Sequence, residues 1–273
     1  MIGVTLNGFL KLLLLLSFVL MVGCENKGNP LKTTIVDEQG TYGAAISPNG
    51  KYLLTGSIDG FGRVWDINKG KVLYSVQHDD NLDGGMIDAQ FSADSSILVT
   101  MEQGSIARWN VSDGRLTGYW KWPDCRALAI SGDGRYALLG LKSKQAVYFD
   151  MQTGKMKYVF AHHEKITSVS VSKNGRFALT GADDWHASLW DLTNEGKHIW
   201  SKNMQYKVSN VTLSDDGKYA FANAYVRGSK IFSTDKKGKL IAELPEHKMT
   251  VVSADFSDKN KIIATGRASK GID

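Results

Sequence analysis

Ser172–Leu192 reads SKNGRFALTGADDWHASLWDL, and its pattern decides the fold. Ser-Lys-Asn-Gly-Arg is a turn, with Gly175 where a tight turn wants a positive φ. Phe177, Leu179 and Gly181 alternate with smaller residues, as a strand requires. Gly-Ala-Asp-Asp makes a second turn, and Ala187-Ser188-Leu189-Trp190, closed by Asp191, makes the next strand. One such small sheet cannot bury its own faces, so it needs neighbours of the same kind.

The chain supplies them. The turn recurs at Ser47, Ser92, Ser131, Ser214 and Ser257, at successive intervals of 45, 39, 41, 42 and 43 residues once Ser172 is included. A second marker follows most of these serines by 18 residues: Trp65-Asp66, Phe149-Asp150, Trp190-Asp191 and Phe232-Ser233. In the second copy Trp109-Asn110 comes at 17. Two markers holding one phase, at a period of about 40–45 residues with four strands per unit, indicate an all-β propeller of four-stranded blades.

These residues resemble the WD40 repeat family, from about Leu31 to the end of the chain, and the fourth copy matches best. The resemblance implies a structural tetrad within a blade: His162 (or His163), Thr180, Asp184 and Trp190. The first copy keeps Thr55, Asp59 and Trp65, with Asp37 in the histidine place. The sixth keeps His247 and Thr265. The second, third and fifth copies are expected to have lost most of the set, Tyr148 and Phe149 or Phe232 filling the aromatic place. Counted from Ser257, the sixth copy stops just short of its Trp-Asp position. The expectation is therefore about five complete blades plus a partial sixth, a shortened form of a seven-bladed ring with an exposed sheet edge.

The amino terminus has a different character. Lys11 is followed by the apolar run Leu12–Val22, too short for a permanent membrane span and shaped like a secretory leader. Leu20-Met21-Val22-Gly23-Cys24 resembles a bacterial lipobox, which implies acylation of Cys24 as the first mature residue. Residues 1–23 are then a lipoprotein signal peptide, 24–30 a lipid-anchored tether and 31–273 the propeller. Leu31–Val36 is expected to complete the last blade. In the lipoprotein family an Asp after the cysteine favours retention at the inner membrane; Glu25 is a weaker signal of that kind, so the expectation is delivery to the outer membrane, facing the periplasm.

Apolar residues make up 42% of the chain and glycines number 28, as many turns demand. The net charge of +5 is mild, and no basic run exceeds Lys236-Lys237, which argues against a nucleic-acid partner. With Cys24 acylated, Cys125 has no disulfide partner and reads as a packed core residue. The sequence lacks Walker A, G-x-G-x-x-G, C-x-x-C, H-E-x-x-H and G-x-S-x-G patterns, so nothing points to catalysis or to a bound cofactor.

Two features suggest binding. Asp79, Asn81 and Asp83, before Gly84, alternate oxygen ligands like the first half of a calcium loop, or form an acidic turn. Trp120, Trp122, Arg126, Trp185, His186, Tyr225 and Arg227 fall on loops expected to share one rim, and such residues carry protein interfaces. Trp120 and Trp122 also fit packing between blades, and His162, His163 and His186 are a conceivable metal set. The expected function is a non-catalytic scaffold for a protein partner, lipid-anchored at an envelope membrane. The alternatives are a small-ligand-binding or enzymatic periplasmic propeller and an envelope-assembly factor.

Overall fold

The computed structural model describes residues 41–57, 60–78, 85–225, 228–244, 251–256 and 262–266. The leader, the tether with Cys24, the strand expected at 31–36, Asp37, Asp59, His247, Arg227 and the candidate calcium residues Asp79, Asn81 and Asp83 lie outside them.

Every regular element among the described residues is a β-strand. The first blade is β1 (Thr41–Ile46), β2 (Tyr52–Ser57), β3 (Gly62–Asp66) and β4 (Lys71–Val76). The second is β5 (Met86–Phe91), β6 (Ile97–Glu102), β7 (Ser105–Asn110) and β8 (Leu116–Lys121). The third is β9 (Cys125–Ile130), β10 (Tyr136–Leu141), β11 (Gln145–Asp150) and β12 (Lys155–Ala161). The fourth is β13 (Ile166–Val171), β14 (Phe177–Ala182), β15 (His186–Asp191) and β16 (Lys197–Asn203). The fifth is β17 (Val208–Leu213), β18 (Tyr219–Ala224), β19 (Gly228–Ser233) and β20 (Leu240–Leu244). A sixth sheet pairs β21 (Val251–Phe256) with β22 (Ile262–Gly266). Each sheet is an antiparallel meander in chain order, and the inner strands of successive sheets pack together. All six inner strands line a central cavity of about 590 Å³.

The serine turns form for a common reason. The hydroxyls of Ser47, Ser92, Ser172 and Ser214 donate to the Asn or Asp two residues on, at 2.6–2.8 Å, and accept from the backbone N–H five residues on. Position four of the turn has φ of 68° at Gly50, 64° at Gly134, 68° at Gly175 and 70° at Gly217. Ser95 takes the same φ of 62° without being glycine, and its hydroxyl accepts from Asn49 N–H of the first blade at 3.1 Å.

Two bulges recur that sequence counting does not show. The outer strand carries an extra residue beside the aromatic position in each complete blade: next to Trp65, Trp109, Phe149, Trp190 and Phe232. The inner strand carries one at its second residue in all six sheets. An extra residue increases local twist. In the fourth and fifth blades the inner bulge also ties blades together: Thr167 donates to Val208 O at 2.6 Å and Ser209 to Val251 O at 3.2 Å.

Side chains on one inner strand cap the free backbone edge of the next. Ser168 and Ser170 accept from Val211 N–H and Leu213 N–H, both at 3.0 Å. Gln90 accepts from Ile130 N–H at 3.1 Å and donates to Leu128 O at 2.9 Å. Asp88 accepts from Leu128 N–H, and burial pushes its carboxyl up to about 7. Blade spacing is set by small residues. A Cβ on Gly181 would stand 2.5 Å from Val208 Cγ1. The second blade carries Met101 at the matching place, and the third blade answers with Cys125, whose sulfur lies 2.9 Å from Met101 Sδ. Cys125 is thus a buried core residue, chosen for volume, with burial raising its thiol to about 12.

Candidate functional site

The fourth blade brings His162, Thr180, Asp184 and Trp190 into one chain of hydrogen bonds. His162 Nδ1 lies 2.9 Å from Asp184 Oδ2, and His162 Nε2 lies 2.8 Å from Thr180 Oγ1. Trp190 Nε1–H donates to Thr180 Oγ1 at 2.9 Å. The carboxylate neighbour assigns the proton to Nδ1, so Nε2 accepts from the threonine hydroxyl. Asp184 also accepts from the backbone N–H groups of His163 and His186, at 2.9 and 3.0 Å. Burial opposes the Asp184 charge, yet those N–H groups and His162 hold its carboxyl below the usual range. Burial also lowers His162, outweighing the pull of Asp184. The resting state is a neutral imidazole on an ionised carboxylate.

The second blade departs from expectation, for it keeps most of such a set. His78 Nε2 lies 2.7 Å from Thr100 Oγ1, and Trp109 Nε1–H donates to the same oxygen at 2.8 Å. Ser105 Oγ, at 2.6 Å from His78 Nδ1, stands where Asp184 stands in the fourth blade. The cause is local. β6 and β7 join through a two-residue hairpin with Gly104 at φ 102°, one residue shorter than the Asp183–Trp185 turn, so the aspartate has no place. That deletion also explains Trp109 at 17 rather than 18. The signal that would have found His78 is the four-residue insertion after it, which moves it out of phase. The fifth blade holds a different polar core, with Asn223 donating to Ser209 Oγ at 2.6 Å and Ser229 donating to Asn223 Oδ1 at 2.7 Å.

The rim residues separate into two groups. Trp120 and Trp122 are half-buried and meet Phe149 edge-on, with centroids 5.3 and 5.6 Å away. They fill the space between the second and third blades, where Leu139, Val147 and Cys125 leave an apolar surface, and so are not rim contacts. Arg126 is exposed, at the inner bulge of β9. Trp185 and Tyr225 are exposed at 45% and 50%. Tyr206, which sequence reading did not single out, bridges them. Trp185 and Tyr206 are 6.3 Å apart with planes 13° apart, and Tyr206 and Tyr225 are 6.4 Å apart with planes 28° apart.

This aromatic row is held rigidly. Trp185 adopts φ 73° and Gln205 φ 64°, a left-handed conformation unusual for side-chain-bearing residues. Trp185 O accepts from Met204 N–H, and Lys207 O accepts from Tyr225 N–H, both at 2.8 Å, so neighbouring loops fix one another. Beside the row, Asp183 receives Lys165 at 3.2 Å and Lys207 at 3.4 Å.

His162, His163, His186 and His198 line a shallow cavity of about 300 Å³. His186 Nδ1 faces Asp184 O at 2.8 Å, and His198 Nε2 faces Ser201 Oγ at 2.8 Å. Among the described residues no three His, Cys, Asp or Glu side chains converge as metal ligands. The Asp184 carboxylate is committed to His162 and two backbone N–H groups, so its arrangement is that of a brace between strands.

Residues 28–66 and 154–191 match the family model "WD domain, G-beta repeat". The chain is 25% identical to autophagy-related protein 16 of Arabidopsis thaliana over 191 residues, 68% of this chain and 37% of that protein. It is 25% identical to the WD repeat-containing protein 26 homolog of Arabidopsis thaliana over 241 residues, 84% of this chain and 40% of that protein. A WD repeat-containing protein 55 homolog of Drosophila erecta is 31% identical over 102 residues, 37% of this chain and 20% of that protein. The matched region thus spans well under two thirds of each of these relatives.

Proposed function

The chain is a WD40-repeat protein, and from that premise we propose that it is a non-catalytic scaffold that holds a protein partner on the rim above its fourth and fifth blades. The row Trp185, Tyr206 and Tyr225 carries this reading. It offers exposed, rigid aromatic area whose ordering cost is met by the fold itself, the property that makes such side chains effective anchors. Arg126 and His186 extend the same rim. The hydrogen-bonded braces beneath it keep the loops in place.

The scaffold's location follows from the leader. Acylation of Cys24 holds the propeller at the bacterial envelope, on the outer membrane and facing the periplasm. Two measurements test the proposal. Mass analysis of the mature amino terminus is expected to find diacylglycerol on Cys24; an unmodified cysteine or an intact leader removes the lipid anchor. Crosslinking in intact cells, followed by identification of the captured protein, is expected to give a product that Trp185→Ala/Tyr225→Ala loses while thermal unfolding is unchanged. An undiminished product in that variant moves the partner off this rim.

A further inference from the structure

The five complete blades present the same pair of residues at the start of their outer strands: Lys71-Val72, Arg115-Leu116, Lys155-Met156, Lys197-His198 and Lys239-Leu240. All ten are exposed. The equivalence is one of register. Val72, Leu116, Met156, His198 and Leu240 are the direct partners of Trp65, Trp109, Phe149, Trp190 and Phe232. The four apolar members are exposed at 42%, 44%, 62% and 45%, although each lies beside a buried or half-buried aromatic.

The cations of this band are available. Lys71, Lys155, Lys197 and Lys239 have no ion-pair partner among the described residues, and Arg115 reaches only Asp113, at 3.9 Å. Glu195 stands exposed two residues before Lys197, whereas the aspartates that open four of these turns fold back on their own backbone. Asp66 accepts from Lys69 N–H, Asp150 from Gln152 N–H, Asp191 from Thr193 N–H and Asp235 from Lys237 N–H, at 2.8–3.0 Å. The band also has a definite side. The third strand of each blade runs from the aromatic rim to the opposite end, where these turns lie.

We propose that this cationic and aliphatic band seats the propeller on an anionic lipid surface, with the aromatic rim facing away from it. Each Lys or Arg near such a surface is drawn to it, and salt screens the attraction. The aliphatic side chains enter the headgroup boundary, as the apolar face of an interfacial segment does. A soluble polyanion would need only the cations. The aliphatic residue next to four of the five is what selects lipid. The inference rests on the membrane-anchored reading for where that surface is found. The binding itself does not require Cys24, because the cations and aliphatic side chains of the band are exposed on the propeller's own strands.

The test uses the full chain carrying Cys24→Ser, co-sedimented with vesicles of phosphatidylcholine alone or mixed with phosphatidylglycerol. Lys11 and the amino terminus of the leader are shared by the parent chain and every variant, so the difference between parent and variant isolates the band. The expected preference for anionic vesicles is about tenfold or more at low salt, falling as salt rises. Most of it is lost in K71Q/K155Q/K197Q/K239Q, it drops severalfold in Leu116→Ser/Met156→Ser/Leu240→Ser, and it stays in the opposite-face control Lys165→Gln/Lys207→Gln. Equal partition of the parent chain onto both vesicles overturns the proposal without reference to any variant. So does a preference that survives the four glutamines, or one that ignores the loss of the three aliphatic side chains, which would mark a site for polyanions. Failure to find lipid on Cys24 is a separate result and leaves this one standing.

Discussion

The third and fourth blades have the same strands, turns and bulges, but their centres differ in kind. In the fourth, Thr180 is fully buried and gathers His162 and Trp190, with Asp184 anchoring the far side of the imidazole. In the third, Leu139 holds the threonine place, Phe149 the indole place, and Trp120 and Trp122 close over them. The third blade removed every member of the network together. A polar core survives either complete or absent, because one missing partner leaves a buried group without a hydrogen bond. The second and fifth blades show intermediate solutions in which the network is rebuilt with Ser105 or with Asn223.

Exchanging the central residues breaks the comparison most severely. Leu139→Thr removes buried apolar volume and places a hydroxyl in an apolar core, with an expected loss of about 3 kcal/mol or more in denaturant unfolding. Thr180→Val is nearly the same shape but strands the Trp190 N–H and His162 Nε2, with an expected loss of about 2–3 kcal/mol. A loss below about 0.5 kcal/mol for Thr180→Val would mean the fourth blade does not depend on its network. Trp190→Phe gives the fourth blade the aromatic type of the third. It removes a single donor, and the cost is about 1 kcal/mol plus the lost indole contact with Phe160.

Acid sharpens the difference between the two blades. The folded pKa of His162 is lowered below its ordinary 6.5, so the unfolded chain binds the proton first. The contribution of His162 is fully present above pH 6.5 and is lost as pH falls from there through the lowered folded value. Asp184 adds a second loss at more acid pH, below its ordinary 3.8. Denaturant midpoints measured against pH should decline more steeply for the parent chain than for His162→Gln; parallel curves would contradict this assignment. The smallest effect is expected at Ser95. Ser95→Gly relieves a left-handed serine but gives up the bond from Asn49 N–H, and the two nearly cancel, to within about 0.5 kcal/mol.

The phase of Ser47, Ser92, Ser131, Ser172 and Ser214 was enough to place the blades, since every such turn buries its hydroxyl and needs the same local bonds. The members of the fourth blade's network were legible too, because they follow that phase. His78 was not, since an insertion separates it from the serine it is counted against. Trp120 and Trp122 were ambiguous for another reason: a large aromatic at a loop carries no mark of whether a neighbouring blade covers it. Tyr206 carried no pattern at all, and its place in the aromatic row depends on two loops fixing each other.

The sequence by itself determined the repeat, the four-stranded unit, the polar centre of the fourth blade and the apolar centre of the third, because these depend on contacts within about forty residues. Tertiary structure decided what lies between units: the bulges, the serine and glutamine caps on neighbouring strand edges, the match of Met101 to Cys125, the aromatic row and the band of cations on the far side. The edge caps join residues about one repeat apart, as Ser168 and Val211 are, and the sulfur and ring contacts join residues about half a repeat apart, as Met101 and Cys125 or Trp185 and Tyr206 are. Only stacking of the blades brings such residues within reach of a hydrogen bond, a ring contact or a common surface.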